Sequence, residues 1–158
     1  MTQIGWSAFS GCSNLRSVTI GNSVIEIDDG AFFNCSSLQN VTIPDSVTTI
    51  GNCAFYNCSS LHSVTIGNCV TTIGNCAFYN CSSLQSVTIP DSVIEIEAEA
   101  FSGCSSLQSV TIPYRVTKIG EEAFKGTALK EVRVPRNCKY SKFFLWRSFP
   151  ADCKVIKY

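Results

Sequence analysis

Residues 50–61 and residues 73–84 both read IGNCAFYNCSSL, so the same twelve residues occur twice, 23 positions apart. The dipeptide Ala-Phe keeps this period along the chain, at Ala8-Phe9, Ala31-Phe32, Ala54-Phe55, Ala77-Phe78, Ala100-Phe101 and Ala123-Phe124. Between these marks runs the pattern A-F-x-x-C-S-x-L-x-x-V-T-I-P-x-x-V-x-x-I-G, whose register we expect to hold from Ile4 to about Val134. A fixed short period predicts a solenoid, because each unit is too small to bury its apolar side alone and must stack on the next.

Each unit is predicted to contain one strand and one helical turn. The residues Val41-Thr42-Ile43 alternate between inward and outward positions and Pro44 ends the run, which is typical of a short strand. Stacked units bring such strands together in parallel at roughly 4.8 Å. Gly51 then allows the chain to turn toward Ala54-Phe55, which we expect on a short helical or 3-10 turn. The sequence therefore predicts an α/β solenoid with a parallel β-sheet on its concave face and short helical turns on its convex face.

The repeat resembles that of a known family. L-x-x-V-T-I-P followed by V-x-x-I-G-x-x-A-F-x-x-C-S-S is similar to the 23-residue leucine-rich repeat of the BspA-like family of bacterial and protozoan surface proteins. Six units match in phase, with Asp28 and Glu97 in place of the motif's glycine. The resemblance implies a right-handed leucine-rich-repeat stack, an extracellular or cell-surface location, and adhesion to a protein or glycan on a host or microbial surface. No signal sequence is recognisable at the start of the chain, since MTQIGWSAF has neither a basic nor an apolar segment.

Two regions are predicted from the pattern. Residues 1–134 form about six repeats, the first of which begins partway through the unit. Residues 135–158 leave the register and are predicted to be a C-terminal capping segment, because the last unit of a solenoid must be covered. We expect an aromatic cluster to provide this cover: Phe143, Phe144, Trp146 and Phe149.

The net charge of zero hides a strong asymmetry. Residues 1–114 contain one basic and eight acidic residues, giving −7, whereas residues 115–158 contain eleven basic and four acidic residues, giving +7. Such a dipole can attract an acidic partner to the C-terminal end, where Lys130 and Arg133 are candidate binding residues, although a solubilising cap would have the same composition. No apolar run approaches the roughly 18 residues of a membrane span, and none is predicted.

The ten cysteines fall into three groups. Five share one column, where we expect a small, buried, reduced residue: Cys12, Cys35, Cys58, Cys81 and Cys104. Cys53, Cys69 and Cys76 share columns with Ser and Glu and are expected to be exposed thiols. Cys138 and Cys153 form a possible disulfide that would fix the C-terminal segment. No metal site is predicted, because a linear column of thiols does not converge.

Two surfaces are candidates for binding. The outward strand positions form a face of Ser and Thr, which is also what ordinary solvated strands contain. On the convex side, Phe33, Tyr56 and Tyr79 occupy successive units and form a candidate partner-binding ridge, because rigid aromatic rings supply contact area at low entropic cost. The alternative is that these rings only stack on one another and shield the turns.

The sequence offers no catalytic arrangement. His62 is the only histidine, and no carboxylate or thiol column lies beside it to form a dyad. We predict no catalytic residue, no cofactor and no nucleic-acid partner. The function predicted is a non-catalytic, surface-exposed interaction or adhesion scaffold. The alternatives are a glycan-binding module that uses the aromatic ridge and a structural spacer.

Overall fold

The computed structural model describes residues 1–142 and 147–158. These residues form short strands joined by turns, and they contain no helix. The strands are, in chain order, β1 (Gln3–Ile4), β2 (Glu26–Ile27), β3 (Asn40–Thr42), β4 (Thr49–Ile50), β5 (Ser63–Thr65), β6 (Thr72–Ile73), β7 (Ser86–Thr88), β8 (Glu95–Ile96), β9 (Ser109–Thr111), β10 (Lys118–Ile119), β11 (Glu131–Val134), β12 (Lys139–Tyr140) and β13 (Lys154–Lys157). The chain is therefore a parallel β-solenoid, as the 23-residue period predicts.

Two parallel sheets run along the stack. The Ser/Thr sheet consists of β3, β5, β7 and β9 in that order, with partners 23 residues apart, such as Val41 and Val64. The second sheet has seven strands in the order β1, β2, β4, β6, β8, β10 and β12. Six of its strands end in the inward isoleucines of the repeat, as in the pairing of Ile27 with Ile50, and β12 ends in Tyr140. The repeat pattern predicted the first strand of each unit, whereas the second sheet, formed by the extended segment that follows, was not predicted.

The core is a set of columns that continue from unit to unit. The core contains the repeated Ala, Phe, Cys and Leu residues, which pack against Val and Ile from both sheets. Almost all of these residues are fully buried from the second unit onward. The Phe column is the largest component: Phe9, Phe32, Phe55, Phe78, Phe101, Phe124 and Phe149. Neighbouring rings are nearly parallel with centroids 5.1 to 5.3 Å apart. This spacing follows the separation of the stacked strands, roughly 4.8 Å, which leaves room for parallel rings.

The helical turns predicted for the convex face are wrong. Alternate N–H groups on this side bond locally, as Tyr56 N–H does to Cys53 O at 3.1 Å. The N–H groups between them point along the stack, as Phe55 N–H does to Ala77 O at 2.7 Å. Because every second donor is used by the next unit, no continuous local ladder forms, and the segment becomes a series of β-turns. We call this side the turn face.

Two columns on the turn face have positive φ. One contains Gly11, Asn34, Asn57, Asn80, Gly103 and Gly126, and the other contains Ser7, Gly30, Cys53, Cys76, Glu99 and Glu122. Each lies at the third position of a β-turn, where a type II turn requires positive φ and favours Gly or Asn. The first column follows that preference. The second column contains Ser, Cys and Glu at φ of 52° to 55°, a conformation that costs such residues of order 1–2 kcal/mol.

Residues 135–142 and 147–158 add a seventh turn to the solenoid. β12 joins the long sheet beside β10, and β13 pairs with β11. Ser148-Phe149 takes the place of Ala-Phe, since Phe124 N–H donates to Ser148 O at 2.7 Å, as Phe101 N–H does to Ala123 O. The buried Ser148 hydroxyl also donates to Gly120 O at 2.7 Å and accepts from Ser141 N–H. Phe143, Phe144 and Trp146, predicted to cover the last unit, lie outside the described residues.

The Ser/Thr sheet is interrupted between β9 and β11. These strands are neighbours, but β11 pairs with β13 and no backbone ladder joins it to β9 in the described chain. The sixth unit is one residue shorter than the others, because Leu129 follows Ala123 by six positions whereas Leu107 follows Ala100 by seven. The expectation that the register holds to about Val134 is therefore wrong in the last unit. Val110, beside the interruption, is half-buried, whereas its counterparts in the three preceding units are buried.

Candidate interaction surfaces

The aromatic ridge is a continuous stack of three half-buried rings. Phe33 and Tyr56 have centroids 4.8 Å apart, as do Tyr56 and Tyr79, and the ring planes differ by 10° and 5°. Both faces of the Tyr56 ring are thus covered, and its accessible part is the ring edge and the hydroxyl. Partial burial raises the pKa of the Tyr56 hydroxyl, with smaller contributions from Tyr79 and the neighbouring thiols. The three rings therefore stack on one another and also form a ridge, so the two alternatives do not exclude each other.

A pair of thiols lies beside the ridge. Cys53 and Cys76 are half-buried, whereas Cys69 is exposed, so the expectation of three exposed thiols holds fully only for Cys69. The two half-buried thiols lie one unit apart and influence each other's pKa. Burial, together with the charge of Glu99, raises the pKa of Cys76 to about 11. Both groups are protonated at neutral pH and are weak nucleophiles.

The predicted buried cysteine column holds for four of its five members. Cys35, Cys58, Cys81 and Cys104 are fully buried. Cys12 is exposed, because no preceding unit covers it in the structure. The buried thiols also have a role that the sequence analysis missed: each donates to a phenylalanine carbonyl in the preceding unit, as Cys58 does to Phe32 O at 3.3 Å and Cys104 to Phe78 O at 3.1 Å. These bonds fasten successive turns together inside the core.

The outward residues of the Ser/Thr sheet form an exposed polar face. Ser63, Ser86 and Ser109 alternate with threonines along the strands, and Ser63 donates to Asn40 Oδ1 at 2.7 Å. His62 is exposed at the border of this sheet. Its backbone N–H donates to Gln39 O at 2.8 Å. Small hydroxyl groups of this kind are well hydrated, so this face has little net binding energy of its own.

At the basic end, acidic neighbours occupy most of the lysines. Lys118 pairs with Glu95 at 3.5 Å, Lys125 with Glu122 at 2.8 Å and Lys154 with Glu131 at 3.8 Å. Of the two candidate binding residues, Lys130 pairs with Asp152, whose hydrogen bond and charge raise the pKa of Lys130. Arg133 is exposed, and its side chain has no ion-pair or hydrogen-bond partner in the described part of the chain. The two candidate binding residues therefore differ in the structure, because Lys130 is ion-paired and Arg133 is not.

The last turn is held by a lysine that the sequence analysis did not single out. The Lys157 ammonium donates to the carbonyl oxygens of Pro135, Arg136 and Cys138 and lies 4.8 Å from the centroid of the Tyr140 ring. Cys138 is buried and Cys153 is half-buried, and both are free thiols in the structure rather than the disulfide considered above. Among residues 1–142 and 147–158, no three His, Cys, Asp or Glu side chains come close enough to hold a metal ion. The same residues contain no helix that could cross a membrane.

These features define the class of the protein. The chain consists of stacked units, and a typical unit contributes one short strand to each of two sheets, an inward leucine and a turn face. This arrangement is that of a leucine-rich-repeat solenoid. The signature of the BspA type leucine rich repeat region matches six copies over residues 1–82 and 26–145. The chain therefore belongs to the BspA type leucine-rich-repeat family, which confirms the resemblance.

Solved bacterial structures share the fold. A leucine-rich repeat protein from Bacteroides ovatus is 35% identical, with a TM-score of 0.87 over 99% of this chain and 40% of that protein. The T. pallidum leucine-rich repeat protein is 27% identical, with a TM-score of 0.74 over 90% of this chain and 73% of that protein. A leucine-rich cell surface protein from Faecalibacterium prausnitzii is 28% identical, with a TM-score of 0.69 over 99% of this chain and 51% of that protein. No curated protein matches the chain.

Proposed function

We propose that the protein is a non-catalytic adhesion scaffold, displayed outside the cell, that binds a protein on a host or microbial surface. The observation that carries the proposal is the aromatic ridge of Phe33, Tyr56 and Tyr79, three large rings held in a fixed row on the turn face. Tyrosine is enriched at binding hot spots because its ring buries much area at low entropic cost. The cell-surface description of the Faecalibacterium prausnitzii relative supports the location.

The stacking favours a protein partner over a glycan. A sugar ring packs on the open face of an aromatic ring, and the faces of Tyr56 are covered by its two neighbours. A protein side chain can instead contact ring edges and accept hydrogen bonds from the tyrosine hydroxyls. The glycan-binding alternative would depend on the outer faces of Phe33 and Tyr79 alone.

The test is the double variant Tyr56→Ser with Tyr79→Ser. The same column contains Ser10 and Ser102, so serine is compatible with the turn face. We expect the variant to remain folded and to lose binding of the fluorescently labelled protein to intact host or microbial cells. The control is Ser86→Ala, which alters the Ser/Thr sheet on the opposite side. Protease treatment of the cells should abolish wild-type binding, and glycosidase treatment should not.

The proposal has three contradicting outcomes. Undiminished cell binding by the double variant would show that the ridge is structural. Loss of wild-type binding after glycosidase treatment, with no effect of protease, would favour the glycan-binding module. If the wild-type protein binds no cell and no glycan, the spacer alternative is the better description.

A further inference from the structure

We propose that the interruption of the Ser/Thr sheet is a binding site for an acidic side chain in a peptide segment of a protein partner, and that Arg133 recognises its carboxylate. This inference rests on the proposed function, because it treats the chain as a protein-interaction scaffold. It adds a second site, on a different side of the solenoid from the aromatic ridge, and a chemistry for the ligand.

The site is a groove of about 340 Å³ where β9 and β11 do not pair. It is lined by residues 110–112, residues 131–133 and Tyr158. Between the other units of the Ser/Thr sheet the ladder hydrogen bonds hold the strands together. The missing ladder therefore creates a concave feature on an otherwise regular surface, and the half-buried Val110 provides apolar contact within it.

Tyr158 holds the groove in shape. Its N–H donates to Val134 O at 3.0 Å, and its hydroxyl donates to Ile112 O at 2.9 Å. The side chain thus reaches from the last turn to a strand two turns earlier and forms one wall of the groove. Tyr158 as a whole residue is 45% exposed, and it lines the groove.

Arg133 is the one cationic side chain among the described residues that line the groove. The lysines nearby are neutralised by acidic residues, and Lys157 is occupied by three carbonyl oxygens. Arg133 keeps a free guanidinium, whose fork of N–H groups matches a carboxylate in a bidentate arrangement. Arginine and tyrosine side by side over apolar surface are also the residues that dominate binding hot spots.

A carboxylate on the same strand as Arg133 limits the kind of anion. Glu131 lines the same groove and pairs with Lys154 at 3.8 Å. A densely charged polyanion would be repelled by this carboxylate, whereas a single acidic side chain can contact Arg133 and place its aliphatic part against Val110. The arrangement therefore fits a glutamate or aspartate flanked by apolar residues in an extended peptide.

The probe is the peptide acetyl-Ala-Leu-Glu-Leu-Ala-amide, with the Gln peptide of otherwise identical sequence as control. Each is titrated into the full ¹⁵N-labelled chain and followed by NMR chemical shifts. We expect saturable shifts for the Glu peptide at residues 110–112 and 131–134, with a dissociation constant on the order of 1 mM, a value typical of a small contact. The Gln peptide should bind at least about tenfold more weakly, a difference of about 1.4 kcal/mol.

Three variants and one control variant assign the effect to the groove. Arg133→Met should weaken binding of the Glu peptide about tenfold, and Arg133→Lys by a smaller factor because the charge remains but the fork is lost. Glu131→Gln should strengthen it, since a repulsive charge is removed. Arg136→Met removes an exposed arginine that does not line the groove and should have no effect.

The inference is overturned if the Gln peptide binds equally well, if the shifts map elsewhere, or if Arg136→Met weakens binding as much as Arg133→Met. It is also overturned if a sulfated polysaccharide competes at the groove more strongly than the Glu peptide. Cell binding separates the two proposals. Peptide binding without cell binding would contradict only the adhesion function, and cell binding without peptide binding would contradict only the groove.

Discussion

The ring of Phe149 lies parallel to the ring of Phe124 with centroids 5.3 Å apart, the same spacing that separates Phe124 from Phe101. The column of stacked rings therefore continues past the last regular repeat into the C-terminal segment. Because Ser148 also reproduces the backbone bond that alanine makes in other units, the segment adds one more turn of modified sequence to the solenoid.

The first prediction concerns this added turn, which contains Ser148 and Phe149. Phe149→Ala should lower the free energy of unfolding by about 3–5 kcal/mol, because it removes a buried ring and leaves the Phe124 ring uncovered. The measurement is equilibrium urea unfolding. Tyr114→Ala, at a position 64% exposed, is the control and should change stability by less than about 0.5 kcal/mol. Equal stability of the Phe149 variant and the wild type would show that the segment does not cap the core.

The second prediction concerns backbone strain on the turn face. Asn57 has φ of 56°, and the equivalent positions in other units contain Gly11, Gly103 and Gly126. Asn57→Ala should be less stable than Asn57→Gly by about 1 kcal/mol, because alanine pays the cost of the left-handed conformation and glycine does not. Thermal unfolding of both variants tests the order. A more stable alanine variant would mean that the turn relaxes to negative φ.

The third prediction concerns alkaline unfolding. Burial raises the pKa of Cys35 to about 11 and that of Cys58 to about 12, above the ordinary value of about 8.5. Since the protonated thiol is favoured in the folded state, the stabilisation is complete below about pH 8.5 and is lost as the pH rises through the folded-state values. The free energy of unfolding of the double variant, Cys35→Ala with Cys58→Ala, should therefore fall less steeply between pH 9 and pH 12 than that of the wild type.

This pH dependence is measured by urea unfolding at several pH values. The exposed Cys69→Ala is the control, and its curve should run parallel to that of the wild type. Parallel curves for the double variant as well would show that other groups cause the alkaline loss.

The fourth prediction concerns thiol labelling. In the folded protein, a maleimide should react first with the exposed Cys12 and Cys69 and more slowly with the half-buried Cys53 and Cys76. The slower labelling of Cys76 should accelerate as the pH approaches its raised pKa of about 11, because the thiolate is the reactive form. Mass spectrometry of chymotryptic peptides, with fragmentation of each labelled peptide, identifies the modified cysteines, because Phe and Leu recur in every unit whereas no Lys or Arg lies between Arg16 and Arg115. Rapid modification of Cys58 or Cys81 at neutral pH would contradict the buried column.

Local pattern was sufficient for most of the architecture. The 23-residue period with its Ala-Phe and Leu marks determined the stacking, the parallel strands, the family and the inward columns, because residues at one position of a solenoid meet their own counterparts in the next unit. The same argument placed Phe33, Tyr56 and Tyr79 in one row. It did not hold for Cys12, which is exposed in the structure.

The tertiary structure decided where hydrogen bonds and charges are satisfied. Helical turns were predicted because the local pattern cannot reveal that alternate donors, such as Phe55 N–H, bond to the next unit. The sequence likewise grouped Lys130 with Arg133, and only the folded chain brings Asp152 to Lys130 while leaving Arg133 free. The interruption beside Val110 and the reach of Tyr158 to Ile112 depend on how a shortened unit meets a turn added later in the chain. These are contacts between distant residues, and periodicity alone does not encode them.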